Sequence, residues 1–170
     1  MDPYYSRIAP LIGHIVIEHG NLEHDAGRML ARLYGKDDDV SITSVAAKNS
    51  FHGKISKARK MVEQNIKDAE LKDKFEDVLA EMDRLNKIRN RYIHSEYIPE
   101  LDENNNITAA YHREIKQVDD IVDLEDPNSA IIVHRVDEDE MRNYITQMSE
   151  LGLRIRKLSE EYFDSLTPLS

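Results

Sequence analysis

The sequence predicts an all-α fold, a four- to five-helix up-down bundle with a small β-hairpin insertion before the last helix. Three observations carry this. Four stretches repeat apolar residues at alternating steps of three and four, which lays each along one face of an α-helix. At most three short extended runs interrupt them, all between about residues 96 and 136. Composition is 40% apolar and 33% charged over 170 residues, which suits one helical domain, residues 1–170, large enough to bury a core.

The first helix is expected from about Pro10 to Tyr34, with Ile12, Ile15, His19, Leu22, Ala26, Met29 and Leu33 on one seam. Gly13 and Gly20 each give up as much as about 1 kcal/mol of helix propensity against alanine, so close helix packing is expected at them. Gly35 and the run Lys36-Asp37-Asp38-Asp39 supply the stop. A short helical piece follows near Ile42 to Ala47. Ser50 reads as the N-cap of a helix carrying Phe51, Ile55, Ala58, Val62 and Ile66 inward.

Asp68 is placed to cap the longest regular stripe, from about Ala69 to His94, with Leu71, Phe75, Val78, Met82, Leu85 and Tyr92 on the seam. Basic residues on these two helices fall mostly off the seams, so solvent is their expected home. After Ser95 the pattern changes. Glu96-Tyr97-Ile98-Pro99 is extended, with Pro99 confining it to a sheet edge, and Ile107 to His112 forms a second arm beyond a polar turn. Asp119 to Asn128 reads as an acidic loop and Ser129 to Val136 as a third strand. Asp137 caps the last helix, whose seam is Met141, Tyr144, Met148, Leu151, Ile155, Leu158 and Tyr162.

Several function classes are excluded by composition. There is no cysteine, hence no disulfide, no thiolate zinc site and no cysteine nucleophile. No apolar run approaches membrane-spanning length and Met1-Asp2-Pro3-Tyr4 is no signal peptide, so a cytoplasmic protein without membrane attachment is expected. The net charge of -10 argues against a general nucleic-acid binder. Basic residues nevertheless outnumber acidic ones from Lys48 to Arg91, whereas Glu96 to Glu140 is heavily acidic. Both a local basic face and an ordinary solvated helix face fit that pattern.

Two polar residues interrupt the seams. Arg89 falls between Leu85 and Tyr92, where a guanidinium is costly unless paired. Either an ion pair fixes helix register there, or the residue belongs to a site, and removing it should cost stability. His19 interrupts the first seam, with Glu23 one turn later. One reading is a satisfied core histidine; the other has His19 or Glu23 facing Arg89 and supporting it. His14, Glu18, His19, Glu23 and His24 do not make a metal centre, because paired-helix sites need inward carboxylates and histidines from several helices and no Glu-x-x-His pair occurs. No metal and no cofactor is expected.

The stretch Arg89-Asn90-Arg91-Tyr92-Ile93-His94 resembles the R-x4-6-H motif of the HEPN superfamily (higher eukaryotes and prokaryotes nucleotide-binding domain). The resemblance implies a compact helical bundle, often dimeric, of a kind that includes many metal-independent ribonucleases of toxin–antitoxin and phage-defence systems. It implies Arg89, Asn90 and His94 as catalytic residues, two motif copies facing one cleft of a homodimer, RNA as substrate, and an antitoxin or other regulator as partner. The chemistry of the residues is compatible. His94 can move protons near neutral pH, Arg89 can stabilise charge building on a phosphate, and Asn90 lies one turn before His94, placed to orient it or a ribose hydroxyl.

Arg89 and His94 are five residues apart, roughly 140° around an ideal helix, so the last turn must loosen or the arginine must reach. A capping role at the helix C-terminus competes for His94. A subgroup of the family carries a tyrosine two residues after the histidine that a nucleotidyltransferase partner modifies. Glu96 stands at that position here and Tyr97 comes one later, so no such partner is inferred. The alternative to an enzyme is a non-catalytic helical binding or dimerisation module, with Arg89 and His94 in a polar network or nucleotide site.

Overall fold

The computed structural model describes residues 3–115 and 131–166. These residues form five helices and a small three-stranded antiparallel sheet. Helix α1 spans Pro3–Leu33, α2 Asp39–Lys48, α3 Phe51–Asn65 and α4 Ala69–His94. Strands β1 (Glu96–Leu101), β2 (Ile107–Ile115) and β3 (Ile131–Arg135) follow, then α5, Glu138–Ser165. No helix among the described residues is long and apolar enough to cross a membrane.

The chain divides into two compact units. One comprises Met1–Val16 and Ile88–Asn143, the other Ile17–Lys87 and Tyr144–Ser170. Helices α1, α4 and α5 each contribute a segment to both.

In the second unit the predicted seams are the core. Leu22, Ala26 and Met29 of α1, Ile55, Ala58 and Val62 of α3, Phe75, Met82 and Leu85 of α4, and Met148, Leu151 and Ile155 of α5 are all buried. Phe75 and Tyr162 meet edge to face with centroids 5.9 Å apart, and Tyr144 donates its hydroxyl proton to Leu85 O at 2.8 Å. The caps at Ser50 and Asp68 are those expected from sequence, whereas Asp38, expected only as part of the stop after α1, also caps α2. Asp38 Oδ1 accepts from Ser41 N at 2.9 Å, Ser50 Oγ from Gly53 N at 3.2 Å, and Asp68 Oδ1 from Leu71 N at 2.8 Å. Arg32 is buried near the end of α1, donating from Nε to Asp37 Oδ1 at 2.5 Å and from Nη1 to Ser159 Oγ at 3.1 Å.

Two expectations for α1 need correction. The helix begins at Pro3, with Pro10 inside it, because buried Tyr4 and Ile8 extend the apolar stripe a further two turns and offset the one donor that proline lacks. Gly13 and Gly20 are not sites of close packing among the described residues, since a Cβ at either would meet none of their atoms within 4 Å. The close approach in this helix is at Gly27, where a Cβ would stand 2.9 Å from Ala46 Cβ of α2.

In the first unit, Tyr4, Ile8, Leu11 and Ile15 of α1 are buried, as are Tyr92, Ala109, Ala110, Val136 and Met141. The Tyr4 hydroxyl accepts from Ala110 N at 3.0 Å, tying α1 to β2. The sheet order is β1-β2-β3, so the predicted hairpin gains a third strand. Glu96 pairs with Arg113, Ile98 with Tyr111, and Tyr111 in turn with Arg135. Pro99 lies on the edge strand, where a missing N–H costs no ladder bond. Asp102 Oδ1 organises the turn by accepting from Asn104 N and Asn106 N, both at 2.8 Å. The expected acidic loop, Asp119 to Asn128, and the first two residues of the expected third strand lie outside the described residues.

Candidate functional site

Helix α4 ends at His94 because Ser95 and Tyr97 take over its last carbonyls. Ser95 Oγ donates to Arg91 O, and Tyr97 donates its hydroxyl proton to Tyr92 O at 2.7 Å. Burial pushes the Tyr97 phenol up to about 12, so it stays protonated and can keep donating. The capping work thus falls to Ser95 and Tyr97. His94 is exposed, and its Nε2 lies 3.3 Å from Arg89 Nη1. Arg89 Nη1 also donates to Asn90 Oδ1 at 3.0 Å. The three residues expected to act together are together.

The 140° separation is bridged by arginine's length. Arg89 is half-buried rather than sunk in the seam, with Nε buried and without a hydrogen-bond partner among the described residues, and with its Nη1 turned toward exposed Asn90 and His94. A guanidinium can only donate, so a hydrogen bond in the Arg89–His94 contact requires the lone pair of Nε2 and puts the imidazole proton on Nδ1. That sets the imidazole beside a fixed positive charge, on the surface. Tyr92 anchors this last turn from the buried side. Its phenol is held well above the ordinary value by burial and, secondarily, by the charge of Glu140. Glu96, two residues past the histidine, forms an ion pair with Arg113 across the β1–β2 ladder.

The supporting residues expected from sequence belong to the other unit. His19 is buried there with its ring centroid 4.8 Å from that of Phe51. The Glu23 carboxylate accepts from Lys54 Nζ at 2.6 Å. Lys54 is therefore a correction to the expectation that basic residues lie in solvent. Its position was legible, since Phe51, Lys54, Ile55 and Ala58 share one helical face. Around them, Arg59 pairs with Asp83, Lys72 with Glu63, Lys74 with Glu70 and Arg84 with Glu81. Of the two readings of this basic stretch, these pairs favour the ordinary solvated face.

A second polar feature of the same unit, marked by no motif, is Asp25 of α1, buried against Gly152 of α5 beside Arg156. A glycine directly following the seam residue Leu151 was the signal available.

No family model, curated protein or solved structure matches the chain.

Proposed function

We propose that the chain is a metal-independent endoribonuclease of the HEPN kind, acting as a homodimer in a toxin–antitoxin or phage-defence setting. The observation that supports it is the exposed contact between Arg89 Nη1 and His94 Nε2, with Asn90 on the same nitrogen. In this reading an incoming phosphate replaces Nε2 as acceptor for Arg89. The freed Nε2 takes the proton of the ribose 2′-hydroxyl. The 2′-oxygen bonds to phosphorus, the bond from phosphorus to the 5′-oxygen breaks, and the leaving oxygen receives a proton. The products are a 2′,3′-cyclic phosphate and a 5′-hydroxyl.

One histidine as base leaves the leaving group in need of an acid. A second copy of His94 across a shared cleft would supply it, which is the chemical reason for the dimer. Val16, 48% exposed, and the half-buried Ile88 and Ile93 are apolar surface of the same unit that such a dimer could cover, whereas Leu11 is buried within the chain.

The test compares wild type with His94→Ala on total RNA in the presence of chelator. Cleavage giving cyclic phosphate ends, reduced about 10²-fold or more in the variant, is expected. Equal cleavage by both proteins, or none by either, removes the enzyme and leaves the binding module. Sedimentation as a monomer at roughly tens of micromolar removes the dimer.

A further inference from the structure

A cavity of about 410 Å³ opens between α1 and α5, within the unit of Ile17–Lys87 and Tyr144–Ser170. It falls in the size range of small-molecule sites. Asp25, 8% exposed, is among its lining residues, with Oδ2 close to Gly152 of α5. A Cβ at Gly152 would stand 2.9 Å from Asp25 Oδ2, so the glycine, unfavourable inside a helix, is what admits the acid.

The nearest cation leaves that acid incompletely satisfied. Arg156 Nε is 3.5 Å from Oδ2, beyond hydrogen-bond length, and its N–H is directed at Gly152 O, 3.4 Å away. No hydrogen bond among the described residues reaches the Asp25 carboxylate. Burial raises its pKa, a shift only partly countered by Arg156, His24 and Arg28. A carboxylate nine-tenths buried, lining a ligand-sized cavity and without a hydrogen-bond donor among the described residues, is a group that a donor-bearing ligand would satisfy.

The charges around it select the class of ligand. Arg156 and Arg28 already act on Asp25, which disfavours another cation. Glu18 on the wall adds a second negative charge, which disfavours an anion. A neutral ligand remains, one offering adjacent N–H donors to the carboxylate and an acceptor to Arg156. Guanine has this edge: N1–H and the 2-amino group match a carboxylate, while O6 and N7 accept from a guanidinium. Adenine presents an acceptor at N1 where the carboxylate needs a donor.

We propose that this cavity binds a guanine base, with Asp25 accepting from its N1–H and 2-amino group and Arg156 donating to its carbonyl. The site stands independently of the Arg89–His94 reading.

Titration with guanosine, inosine and adenosine, followed through the His24 ring and Gly152 amide signals by NMR, is the test. Guanosine should move both signals and bind about tenfold more tightly than adenosine, with inosine, which lacks the 2-amino group, in between. Asp25→Asn should weaken guanosine about tenfold while the rest of the spectrum is retained. Arg156→Gln, at a half-exposed side chain outside the core, should narrow the gap between guanosine and adenosine. The trinucleotide ApGpA, set against ApApA, separates the sources of the base. Preferential binding of ApGpA supports the site with RNA as the source; binding weaker than that of guanosine supports it with a free nucleoside. Equal responses to guanosine and adenosine, no response to any nucleoside at millimolar concentration, or guanosine binding undiminished in both variants would overturn the proposal.

Discussion

Lys54 Nζ lies 2.6 Å from Glu23 Oε1, an amine 1% exposed on α3 held by a carboxylate 38% exposed on α1. The two partners stand in different solvent, and their removal should not be symmetric. Glu23→Ala leaves a buried ammonium without its counter-charge and should destabilise by about 2 kcal/mol. Lys54→Met keeps the packed stem and leaves a carboxylate that reaches water, so its cost should stay below about 1 kcal/mol. Urea denaturation of the two variants gives the order, and a larger loss for Lys54→Met would contradict it.

The same pair shows where sequence reading stops. Periodicity placed Phe51, Ile55, Ala58 and Val62 on the buried face of α3, and the caps at Ser50 and Asp68 follow from residue type at fixed spacing. Local rules of this kind have local causes, so they can be read along the chain. Which cation meets Glu23 depends instead on how α3 lies against α1, and no spacing within one helix encodes that. The start of α1 differs from the expected one for a related reason. Pro10 is a strong local signal against a helix interior, yet burial of Tyr4 and Ile8 overrides it. At the candidate site, the motif residues could be named from sequence, whereas the reach of Arg89 from a half-buried position to His94 depends on rotamers.

The end of α1 offers a backbone test. Gly35 has φ 71°, with its N–H donating to Arg32 O at 2.8 Å and the Lys36 N–H to Ala31 O at 3.0 Å. This is the paired bond pattern of a Schellman stop, which requires a left-handed residue. Gly35→Ala should cost about 1 kcal/mol through that conformation alone, since a Cβ there would meet nothing within 4 Å. A shift of the denaturation midpoint to lower urea with an unchanged slope is the expected signature.

Asp25 should make stability depend on pH in the opposite sense to an ordinary ion-paired carboxylate. Its folded pKa is raised above the ordinary value of 3.8, chiefly by burial. Ionisation is therefore harder in the folded state than in the unfolded one, and the folded state loses stability as pH rises through the window above 3.8. Below that value both states are protonated and the penalty disappears. Asp25→Asn should accordingly melt higher than wild type at pH 7, with the difference closing as pH falls toward 3.8. Thermal melts across that range check the sign, and a variant less stable than wild type at pH 7 would show that the Arg156 pair outweighs desolvation. A residue retained at a cost in stability is also what a binding role for Asp25 leads one to expect.

Arg89 separates the enzyme from the polar network most cleanly. From sequence, an arginine on the α4 seam should be costly to remove. In the structure Arg89 is half-buried, its Nη1 contacts are exposed, and its buried Nε has no hydrogen-bond partner among the described residues. Arg89→Ala removes a polar atom that was unsatisfied, and two contacts whose other ends reach water, so its stability cost should be under about 1 kcal/mol. Its effect on cleavage should be large, about 10²-fold or more, if the guanidinium carries transition-state charge. Arg89→Lys should not restore activity. Once the phosphate has displaced His94 Nε2, the planar fork can offer it paired N–H donors, an arrangement that one ammonium does not reproduce. Cleavage rates and denaturation curves measured on the same three proteins decide between the readings. Activity lost with stability kept supports the catalytic role. Stability lost in both variants, in proportion to any activity lost, would assign Arg89 to the scaffold of the helix end.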